Sequence, residues 1–405
     1  MTRSGGSLWA RVALPALVAA AALGSAAALP ALSSAEDEAV ARASAAAPSP
    51  GQDRVPASGA RAELVTPELE RAVERGLDYL ASVQDRDTGA FGSLSKSKPE
   101  PRIAVTALAA LAFLSHGDVP GRGAYGRNAE RAVSYLVEQN AANPRSIQKR
   151  PIGNYFTTVN DTLSRMHGHG YATLAAAEAM GMYGISRQSG TETFKRLEEA
   201  VRSSVALLEN TQSREGGWYY EPEPGSGHEG SITITALQAM RSARTAGVHV
   251  NVDVIRRALD YVLLSQNKDG SFSYALRDRR TSAALTAAAV ATLHAFGIHE
   301  DRVQTAIKNG MDYLRRYDYE IDEQWYWYNA FYTAQALWFD LDPRLFESEF
   351  RRLRENILSR QDPATGAWAD VLPTSNFPDY GSAYATAFAC LILQIPYGYL
   401  PIMQR

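Results

Sequence analysis

The sequence predicts an all-α fold in which six helical hairpins close into an α/α toroid, with an inner and an outer ring of helices. Two observations support this prediction. A short loop with a glutamine, a glycine and an aromatic residue recurs along the chain, and such recurrence indicates stacked supersecondary units. The predicted helices also alternate in character, because one carries a single apolar stripe and the next is apolar on nearly all sides.

The recurring loop follows the first helix of a hairpin. Its glutamine can bond the unpaired backbone groups of a helix end, its glycine permits a positive φ, and its ring can fill the gap between hairpins. We therefore assign these residues to the scaffold. The copies are Gln84…Gly89-Ala90-Phe91, Gln212…Gly217-Trp218, Gln266…Gly270-Ser271-Phe272 and Gln361…Gly366-Ala367-Trp368.

The spacing of apolar residues predicts twelve helices in six pairs. A helix that is apolar on all sides has to be covered on all sides, whereas a striped helix can face water, so an inner layer is wrapped by an outer one. The predicted outer helices span residues 68–83, 127–138, 193–209, 252–264, 302–316 and 347–359. The predicted inner helices span residues 103–114, 168–180, 231–243, 281–296, 328–339 and 382–395.

The N-terminal segment predicts export. Arg3 and Arg11 precede the apolar run 12–23, and small residues follow through Ala28, which is the order of a secretory signal peptide over residues 1–30. An uncleaved anchor is the alternative, although the run is shorter than the roughly 20 apolar residues that a span prefers. Residues 31–65 are rich in Ala, Ser and Pro and predict a disordered linker. The toroid is expected over 66–405, with Thr66 as the first cap, and the protein is expected in the periplasm or outside the cell.

Composition excludes some classes of function. The 405 residues carry a formal net charge of −3 with acids and bases interspersed, and without a basic stripe we expect no nucleic-acid partner. No segment after the signal is apolar enough to predict a membrane span. The single cysteine, Cys390, rules out an intrachain disulfide and a cysteine-based metal cluster, and is expected to be a small buried apolar residue.

The repeated loops resemble those of the squalene cyclase and protein prenyltransferase superfamily, whose members are α/α toroids. A closer resemblance, over nearly the whole folded region, is to exported bacterial proteins, common in planctomycetes, with the prenyltransferase and squalene oxidase repeat. That group is generally of unknown function, so the resemblance implies a fold and little about activity. It rests on the segments His167-Gly168-His169-Gly170-Tyr171-Ala172-Thr173-Leu174, Gly216-Gly217-Trp218-Tyr219-Tyr220, Ser231-Ile232-Thr233…Ala236-Leu237-Gln238-Ala239-Met240 and Leu393-Gln394-Ile395-Pro396-Tyr397…Tyr399-Leu400-Pro401.

Three activities that the superfamily resemblance implies lack their residues here. Proton-initiated terpene cyclases carry an Asp-x-Asp-Asp motif, and the nearest string, Asp85-Arg86-Asp87-Thr88, lies in a repeat loop. Protein prenyltransferases hold zinc with Asp, Cys and His, but the only cysteine lies within a predicted helix. The Gly-Cys-Gly-Glu-Gln run of thioester domains is absent. We predict no cofactor, and whether the protein is an enzyme stays open.

The N-terminal ends of the inner helices are expected to meet at one face, where free amides suit anionic or carbonyl groups. The candidates for acid–base chemistry there are His169, His228, Tyr328 and Asp379. The candidates for ligand binding are Arg102, His167, Glu229, Arg280, Trp325 and Tyr380.

The pair His167-x-His169 could hold a metal ion or act as acid and base. Two histidines without a clear third ligand make a poor zinc site, so we predict no metal and favour capping and wall packing. For His228 and Glu229 we likewise favour a capping loop.

Three hypotheses follow. The first, which we favour, is a binding protein whose central cavity holds an apolar, isoprenoid-like or lipid-like molecule, because the expected cavity residues are aromatic. The second is an enzyme, either cyclase-like or a polysaccharide hydrolase or lyase, that uses acid and base residues at the mouth. The third is a scaffold that binds envelope proteins. Fold alone does not choose among them.

Overall fold

The computed structural model describes residues 64–93, 100–159, 161–185, 190–225, 227–319, 321, 325–340, 342–372, 374 and 379–404. The expected signal peptide and all but the last two residues of the expected linker lie outside these ranges. Leu64 is 1% exposed, and the Arg354 guanidinium donates a hydrogen bond of 3.1 Å to its carbonyl. The packed domain therefore includes residues 64 and 65, two residues before the predicted start.

The described residues form twelve α-helices, and each predicted helix is confirmed within a few residues. The odd-numbered helices carry one buried stripe and are α1 (Pro67–Val83), α3 (Gly126–Ala142), α5 (Glu192–Thr211), α7 (Val252–Leu264), α9 (Asp301–Arg316) and α11 (Pro343–Ser359). The even-numbered helices are buried on nearly all sides and are α2 (Arg102–Ser115), α4 (Arg165–Ile185), α6 (Gly230–Thr245), α8 (Ala283–Ala295), α10 (Tyr326–Phe339) and α12 (Ser382–Leu393).

The chain closes into two concentric rings. Each even-numbered helix contacts the next even-numbered helix, and α12 contacts α2. In the outer ring α11 contacts α1. The inner helices are rich in alanine, which lets them approach one another closely, and they bury the core that the outer helices cover. Closure at six hairpins is thus confirmed.

Two short antiparallel hairpins were not predicted. Strands β1 (Pro144–Ile147) and β2 (Arg150–Asn154) lie between α3 and α4, and β3 (Ser273–Ala275) and β4 (Asp278–Thr281) lie between α7 and α8. Both hairpins contain a register shift and have exposed turns. Their strands are too short for an alternating pattern to stand out in the sequence.

The glutamine of each repeated loop joins one hairpin to the next. The Gln84 side-chain amide donates to the Gly89 carbonyl in its own loop at 2.8 Å and to the Asn128 carbonyl of α3 at 3.0 Å. The loop carbonyl of Gly89, which no helix pairs, is thereby satisfied, and the second bond ties the loop to α3. The same pair of bonds recurs for Gln212 with Gly216 and Val254, and for Gln266 with Gly270 and Ala306.

The last copy of this junction closes the ring. Gln361 Nε2 donates to the Gly366 carbonyl and to the Ala72 carbonyl of α1, both at 2.8 Å. Gly366 has a φ of +77°, and a Cβ built there would lie 2.6 Å from the Arg75 carbonyl oxygen. In the third hairpin the glycine with positive φ is Gly216, not the predicted Gly217.

The first helix begins as predicted, with Thr66 as its cap: Thr66 Oγ1 accepts a hydrogen bond from the Leu69 amide at 3.2 Å. Cys390 is buried, as expected, against Gly76 of α1. No helix in the described part of the chain combines the length and apolarity needed to cross a bilayer.

The C-terminal segment covers the end of the rings where the inner helices finish. Trp338 Nε1 donates to the Met403 carbonyl at 2.7 Å, and the half-buried Arg241 donates to the Ile402 carbonyl at 3.2 Å. Glu178, 1% exposed, accepts from the Ile402 amide at 3.3 Å. Burial raises the pKa of Glu178 to about 7, although its hydrogen bonds and Arg241 oppose this.

Candidate functional site

The inner helices all begin at the opposite end of the rings, which we call the mouth. Each outer helix ends, and the inner helix that follows it begins, at this end. Helix starts leave amides unpaired and carry a partial positive charge. Two of these helix starts are capped by the side chain of the residue before the helix. Glu229 caps α6 and Ser282 caps α8, and each accepts a hydrogen bond from the amide three residues later.

Aromatic side chains line the mouth and remain partly accessible. Trp325 stacks on Tyr380 with ring centroids 6.1 Å apart and an interplanar angle of 17°, and Tyr380 packs on Tyr384 at 5.2 Å. Tyr384 in turn contacts Phe388 at 5.0 Å, which continues the row toward the axis. We call the accessible set the aromatic cup, and it consists of Tyr220, Tyr274, Trp325, Tyr328, Tyr380 and Tyr384.

Tyr328 lies where the cup meets the filled axis. Its ring packs on Tyr332 at 4.6 Å, and the Tyr332 hydroxyl donates to Gln238 Oε1 at 3.0 Å. The Tyr328 hydroxyl is buried and has no hydrogen-bond partner within the described ranges. Burial raises the pKa of Tyr328 well above its usual value, with Glu229 among the negative groups that add to the shift. Tyr328 is therefore a neutral donor or acceptor and not a base at ordinary pH.

Glu229 is near enough to Tyr328 for its charge to add to the raised pKa of that tyrosine. Its Oε2 accepts from Ser231 Oγ at 2.6 Å and from the Ile232 amide at 2.9 Å, so the carboxyl is fixed on the first turn of α6. Its Oε1 is buried and unpartnered among the described residues. Burial raises the pKa of Glu229, and the hydrogen bonds of Oε2 partly offset this.

His167 extends this hydrogen-bond chain to a second inner helix. His167 Nε2 lies 3.0 Å from Ser231 Oγ, and because Ser231 donates its proton to Glu229, we assign the donor role to His167 Nε2. Burial lowers the pKa of His167 to about 4, so the ring is neutral. The serine sits between the other two groups, whereas an activated nucleophile needs the base in the middle. Ser231 therefore bridges His167 and Glu229 and is not an activated nucleophile.

A groove of about 520 Å³ opens beside the cup, between α1, α2 and α12. Its charged lining is mostly acidic and comprises Asp85, Glu100, Arg102, Asp370 and Asp379. Asp370 accepts from the Tyr380 amide at 2.9 Å, which joins the groove to the cup. Burial raises the pKa of Asp370 to about 6, and the nearby Asp379 adds to the shift.

His169 lies away from the cup, although it shares a helix turn with His167. Side chains two residues apart on a helix point to different sides. His169 is fully buried, accepts from the Phe156 amide through Nδ1 at 3.2 Å and lies 3.2 Å from the Ser204 carbonyl through Nε2. Both ring nitrogens are therefore used within the fold. Because α4 begins at Arg165, three residues earlier than predicted, these histidines do not flank a helix end.

Three other predicted residues lie at the rim with partners of their own. Arg102 donates to the Gly92 carbonyl at 2.7 Å and lies 3.4 Å from Asp85, so it fastens the first repeat loop. His228 Nδ1 lies 3.0 Å from the Tyr261 hydroxyl. Arg280 is on β4, not at a helix start, with its side chain 83% exposed and bonded to Asp278 at 2.7 Å. The unpredicted hairpin moves Arg280 away from the mouth centre.

Solved structures of two kinds resemble this arrangement. The type II terpene cyclase MstE from Scytonema is 15% identical, with a TM-score of 0.51 over 81% of this chain and 98% of that one. The GH76A alpha-1,6-mannanase from Salegentibacter sp. HEL1_6 is 7% identical, with a TM-score of 0.58 over 80% of this chain and 98% of that one. An inactive variant of it, in complex with alpha-1,6-mannotriose, gives a TM-score of 0.59 at 8% identity, over 81% of this chain and 99% of that one.

The fold is an α/α toroid. At these identities the likeness extends to the fold alone. No protein-family model matches the sequence, and no curated protein matches it. The closer resemblance of the toroid to exported bacterial repeat proteins stays a prediction.

The toroid brings together some of the predicted site residues and separates others. His167 and Glu229 are joined through Ser231, and Glu229 contributes to the raised pKa of Tyr328. Trp325 and Tyr380 stack in the cup, and Asp379 lines the groove. Among the residues described, no three His, Cys, Asp or Glu side chains come close enough to hold a metal ion.

The sequence analysis missed Asp370, Ser231 and Tyr384 as mouth residues. Tyr384 is the third residue of α12, and Asp370 lies in an irregular connection. Ser231 follows Glu229 by two residues in a capping pattern, and that spacing was the one available signal.

Proposed function

We propose that the protein binds an apolar small molecule, isoprenoid-like or lipid-like, in the aromatic cup. The observation that carries this proposal is the connected row Trp325, Tyr380, Tyr384 and Phe388, which leads from the accessible mouth toward the buried axis. Aromatic faces bury much area at little loss of side-chain entropy, and a concave apolar surface with a few polar groups is the usual form of a ligand site. The terpene cyclase of the same fold lends support only by analogy.

Native mass spectrometry on the protein recovered from its own cells tests this proposal. We expect a defined co-purifying mass that is lost in the Tyr380→Ala and Tyr384→Ala variants. The control is Tyr317→Ala, which removes an exposed tyrosine at the end of α9. Protein that carries no small molecule, and binds none when titrated with polyprenols and long-chain alcohols, would contradict the proposal.

An enzyme is the second candidate, and Asp370 is the observation that favours it. A carboxyl with a pKa near 6 beside a second carboxyl can exchange protons at ordinary pH. We therefore keep a polysaccharide hydrolase or lyase, or a cyclase-like catalyst, as the alternative. The test is turnover of polysaccharides and of polyprenyl compounds. Activity that falls at least about 100-fold in Asp370→Asn but not in Glu355→Gln supports the enzyme.

Export remains part of the proposal. A signal peptide over residues 1–30 would deliver the toroid to the periplasm or the exterior, where a scaffold role toward envelope proteins is a third possibility. N-terminal sequencing of protein from fractionated cells tests cleavage near residue 30. Protein found only in the cytoplasm with an intact N-terminus contradicts export.

A further inference from the structure

A crevice opens between the end of α9 and α11, at the junction of the fifth and sixth hairpins. Its volume is about 330 Å³, and Thr333 and Leu337 of the inner helix α10 form its inner wall. On α11 the lining residues run from Glu349 to Arg360, which is about 16 Å of helix. None of the lining residues belongs to the aromatic cup, so the crevice is a separate, elongated space between outer helices.

The fifth hairpin lacks the loop that seals other junctions. At four of the six junctions a loop glutamine bonds a carbonyl of the neighbouring outer helix. After α9 the corresponding position is Tyr317, and residues 317–325 contain no glycine. Asp318 and Tyr319 turn the chain instead, each with a φ of 51°, which is strained for residues other than glycine. The altered connection leaves space that a glutamine junction would close.

The charges that line the crevice balance. Arg352 Nη1 lies 2.6 Å from Asp318 Oδ2, and Arg352 Nη2 lies 2.7 Å from Glu349 Oε2. Arg360 is the fourth charged residue of the lining, so two arginines and two carboxylates give a formal charge of zero. The side chains of Arg352 and Asp318 are 51% and 84% exposed, so this ion pair is accessible to a ligand. Neither an anion nor a cation gains a net charge attraction here.

Hydrogen-bonding groups are held in place on the α11 wall. Asn356 Oδ1 accepts from Arg360 Nε at 3.0 Å and from the Tyr326 hydroxyl. The Arg360 guanidinium also lies 4.7 Å from the centroid of the Tyr326 ring, which is a cation–π contact. A guanidinium has five N–H donors, more than these contacts occupy, so donors stay available beside the acceptor oxygens of Asp318 and Asn356.

Apolar surface lies beside these polar groups. Tyr317 lines the crevice and is 52% exposed, and its ring packs on Tyr313 with centroids 5.0 Å apart, which holds it in position. The buried Leu337 and Leu353 form apolar parts of the wall. The lining therefore suits a ligand that is neutral, rich in groups that both donate and accept hydrogen bonds, and partly apolar.

We propose that the crevice binds a neutral saccharide, a short chain of pyranose units. Sugar hydroxyls donate and accept hydrogen bonds, which matches a lining that has guanidinium donors together with carboxylate and amide acceptors. The C–H face of a pyranose ring can pack on an aromatic ring such as Tyr317. An apolar ligand is disfavoured, because it would remove water from Arg352, Asp318 and Arg360 without replacing the hydrogen bonds. This site goes beyond the proposed function and does not depend on it.

Calorimetry and saturation-transfer NMR on the full chain test the proposal with named trisaccharides. The neutral probes are maltotriose, cellotriose, mannotriose and triacetylchitotriose. The charged probes of the same length are chitotriose, with its amines protonated, and trigalacturonate. We expect at least one neutral probe to bind with a Kd of about 1 mM or lower, and at least about fivefold more tightly than either charged probe.

Two variants test whether the sugar lies in the crevice. Tyr317→Ala removes the exposed ring and Arg360→Gln removes the guanidinium, and each should weaken binding at least about fivefold. The matched control is Tyr219→Ala, which removes a 39% exposed tyrosine from the connection between α5 and α6 and should leave sugar binding unchanged. Tyr317→Ala should retain the apolar ligand of the cup. Melting temperatures of all variants confirm that a lost affinity does not come from unfolding.

The outcomes decide the saccharide site separately from the cup. If no neutral probe binds at about 10 mM, or if a charged probe binds more tightly than every neutral one, the saccharide site is refuted. Unchanged affinity in both Tyr317→Ala and Arg360→Gln shows that the sugar binds elsewhere, and this also refutes it. Titration with polyprenols reports on the cup alone, so the failure of one proposal leaves the other standing.

Discussion

His169 Nδ1 accepts a hydrogen bond from the Phe156 amide at 3.2 Å, and in four other hairpins a threonine on the inner helix accepts the same bond from the aromatic residue of the loop. The equivalent pairs are Phe91 with Thr106, Trp218 with Thr233, Phe272 with Thr286, and Trp368 with Thr386. The histidine that appeared most reactive in the sequence thus performs a repeated scaffold task. Its use of both ring nitrogens requires the neutral form.

Stability should fall in acid because of His169. Burial lowers its pKa to about 4 from an ordinary 6.5, so the unfolded chain takes up the proton first as the pH drops. The contribution of neutral His169 to the free energy of unfolding is complete above pH 6.5. It decreases by about 3 kcal/mol as the pH falls to 4. Urea unfolding of the wild type and of His169→Gln across this range measures it, with the exposed His249→Gln as control. An equal slope in wild type and His169→Gln would contradict the assignment.

Glu178 should give the free energy of unfolding the opposite pH dependence. Its pKa is raised to about 7 from 4.5, so the folded state retains the proton and stability decreases as the pH rises through this interval. We expect a loss of about 3 kcal/mol that Glu178→Gln abolishes. The measurement is the free energy of unfolding at pH 5 and pH 8. Glu355→Gln, on the exposed face of α11, should leave the wild-type dependence unchanged.

The closing junction should be as strong as an internal one. Gln361→Ala removes three hydrogen bonds, to the Ala72 and Gly366 carbonyls and from the Arg75 guanidinium, and leaves the Gly366 carbonyl unpaired, which costs roughly 2–4 kcal/mol. Gln84→Ala removes three equivalent bonds between the first and second hairpins and is the matched comparison. Chemical denaturation of both variants measures the difference. A negligible effect of Gln361→Ala beside a large effect of Gln84→Ala would mean that the ring is open in solution.

Gly366 should not tolerate a side chain. Its φ of +77° is unfavourable for alanine, and the new Cβ would meet the Arg75 carbonyl oxygen, so Gly366→Ala should destabilise the fold by about 2 kcal/mol or more. The control is Gly181→Ala on α4, where no atom lies within 4 Å of the built Cβ. There we expect a gain of about 0.5–1 kcal/mol from helix propensity. Melting temperatures of the two variants should move in opposite directions.

Trp325 should lower the stability of the fold through its backbone conformation and contribute to ligand binding through its ring. Its φ of +60° lies in the left-handed region, which is strained for a bulky residue but comfortable for glycine. We expect Trp325→Gly to be about 1 kcal/mol more stable than Trp325→Ala, while both lose the stack on Tyr380 and bind the cup ligand equally weakly. Paired denaturation and ligand titration measure the two effects. Equal stability of the two variants would show that the backbone relaxes when the tryptophan is removed.

The scaffold could be predicted because its signals are local and repeated. The glutamine, glycine and ring of each loop recur at nearly fixed spacing, and the buried helices differ visibly from the striped ones. The mouth could not be predicted to the same degree, because its geometry depends on connections without periodicity. Arg280 illustrates this, since a short hairpin carries it away from the helix start. Asp370 is the converse case, because its burial and its hydrogen bond from the Tyr380 amide arise only in the folded chain and leave no pattern in the sequence.

The bond from Gln361 to Ala72 also sets the order in which the chain can assemble. It joins residues 289 positions apart, whereas the bond from Gln84 to Asn128 joins residues 44 apart. Closing the longer loop costs about 1.7 kcal/mol more in chain entropy, from the logarithm of the ratio of the lengths. Neighbouring hairpins can therefore dock early, as in a linear array, and the meeting of the first and last hairpins is the late step. Until then both end hairpins expose apolar faces, and that interval is when the chain is most prone to aggregate.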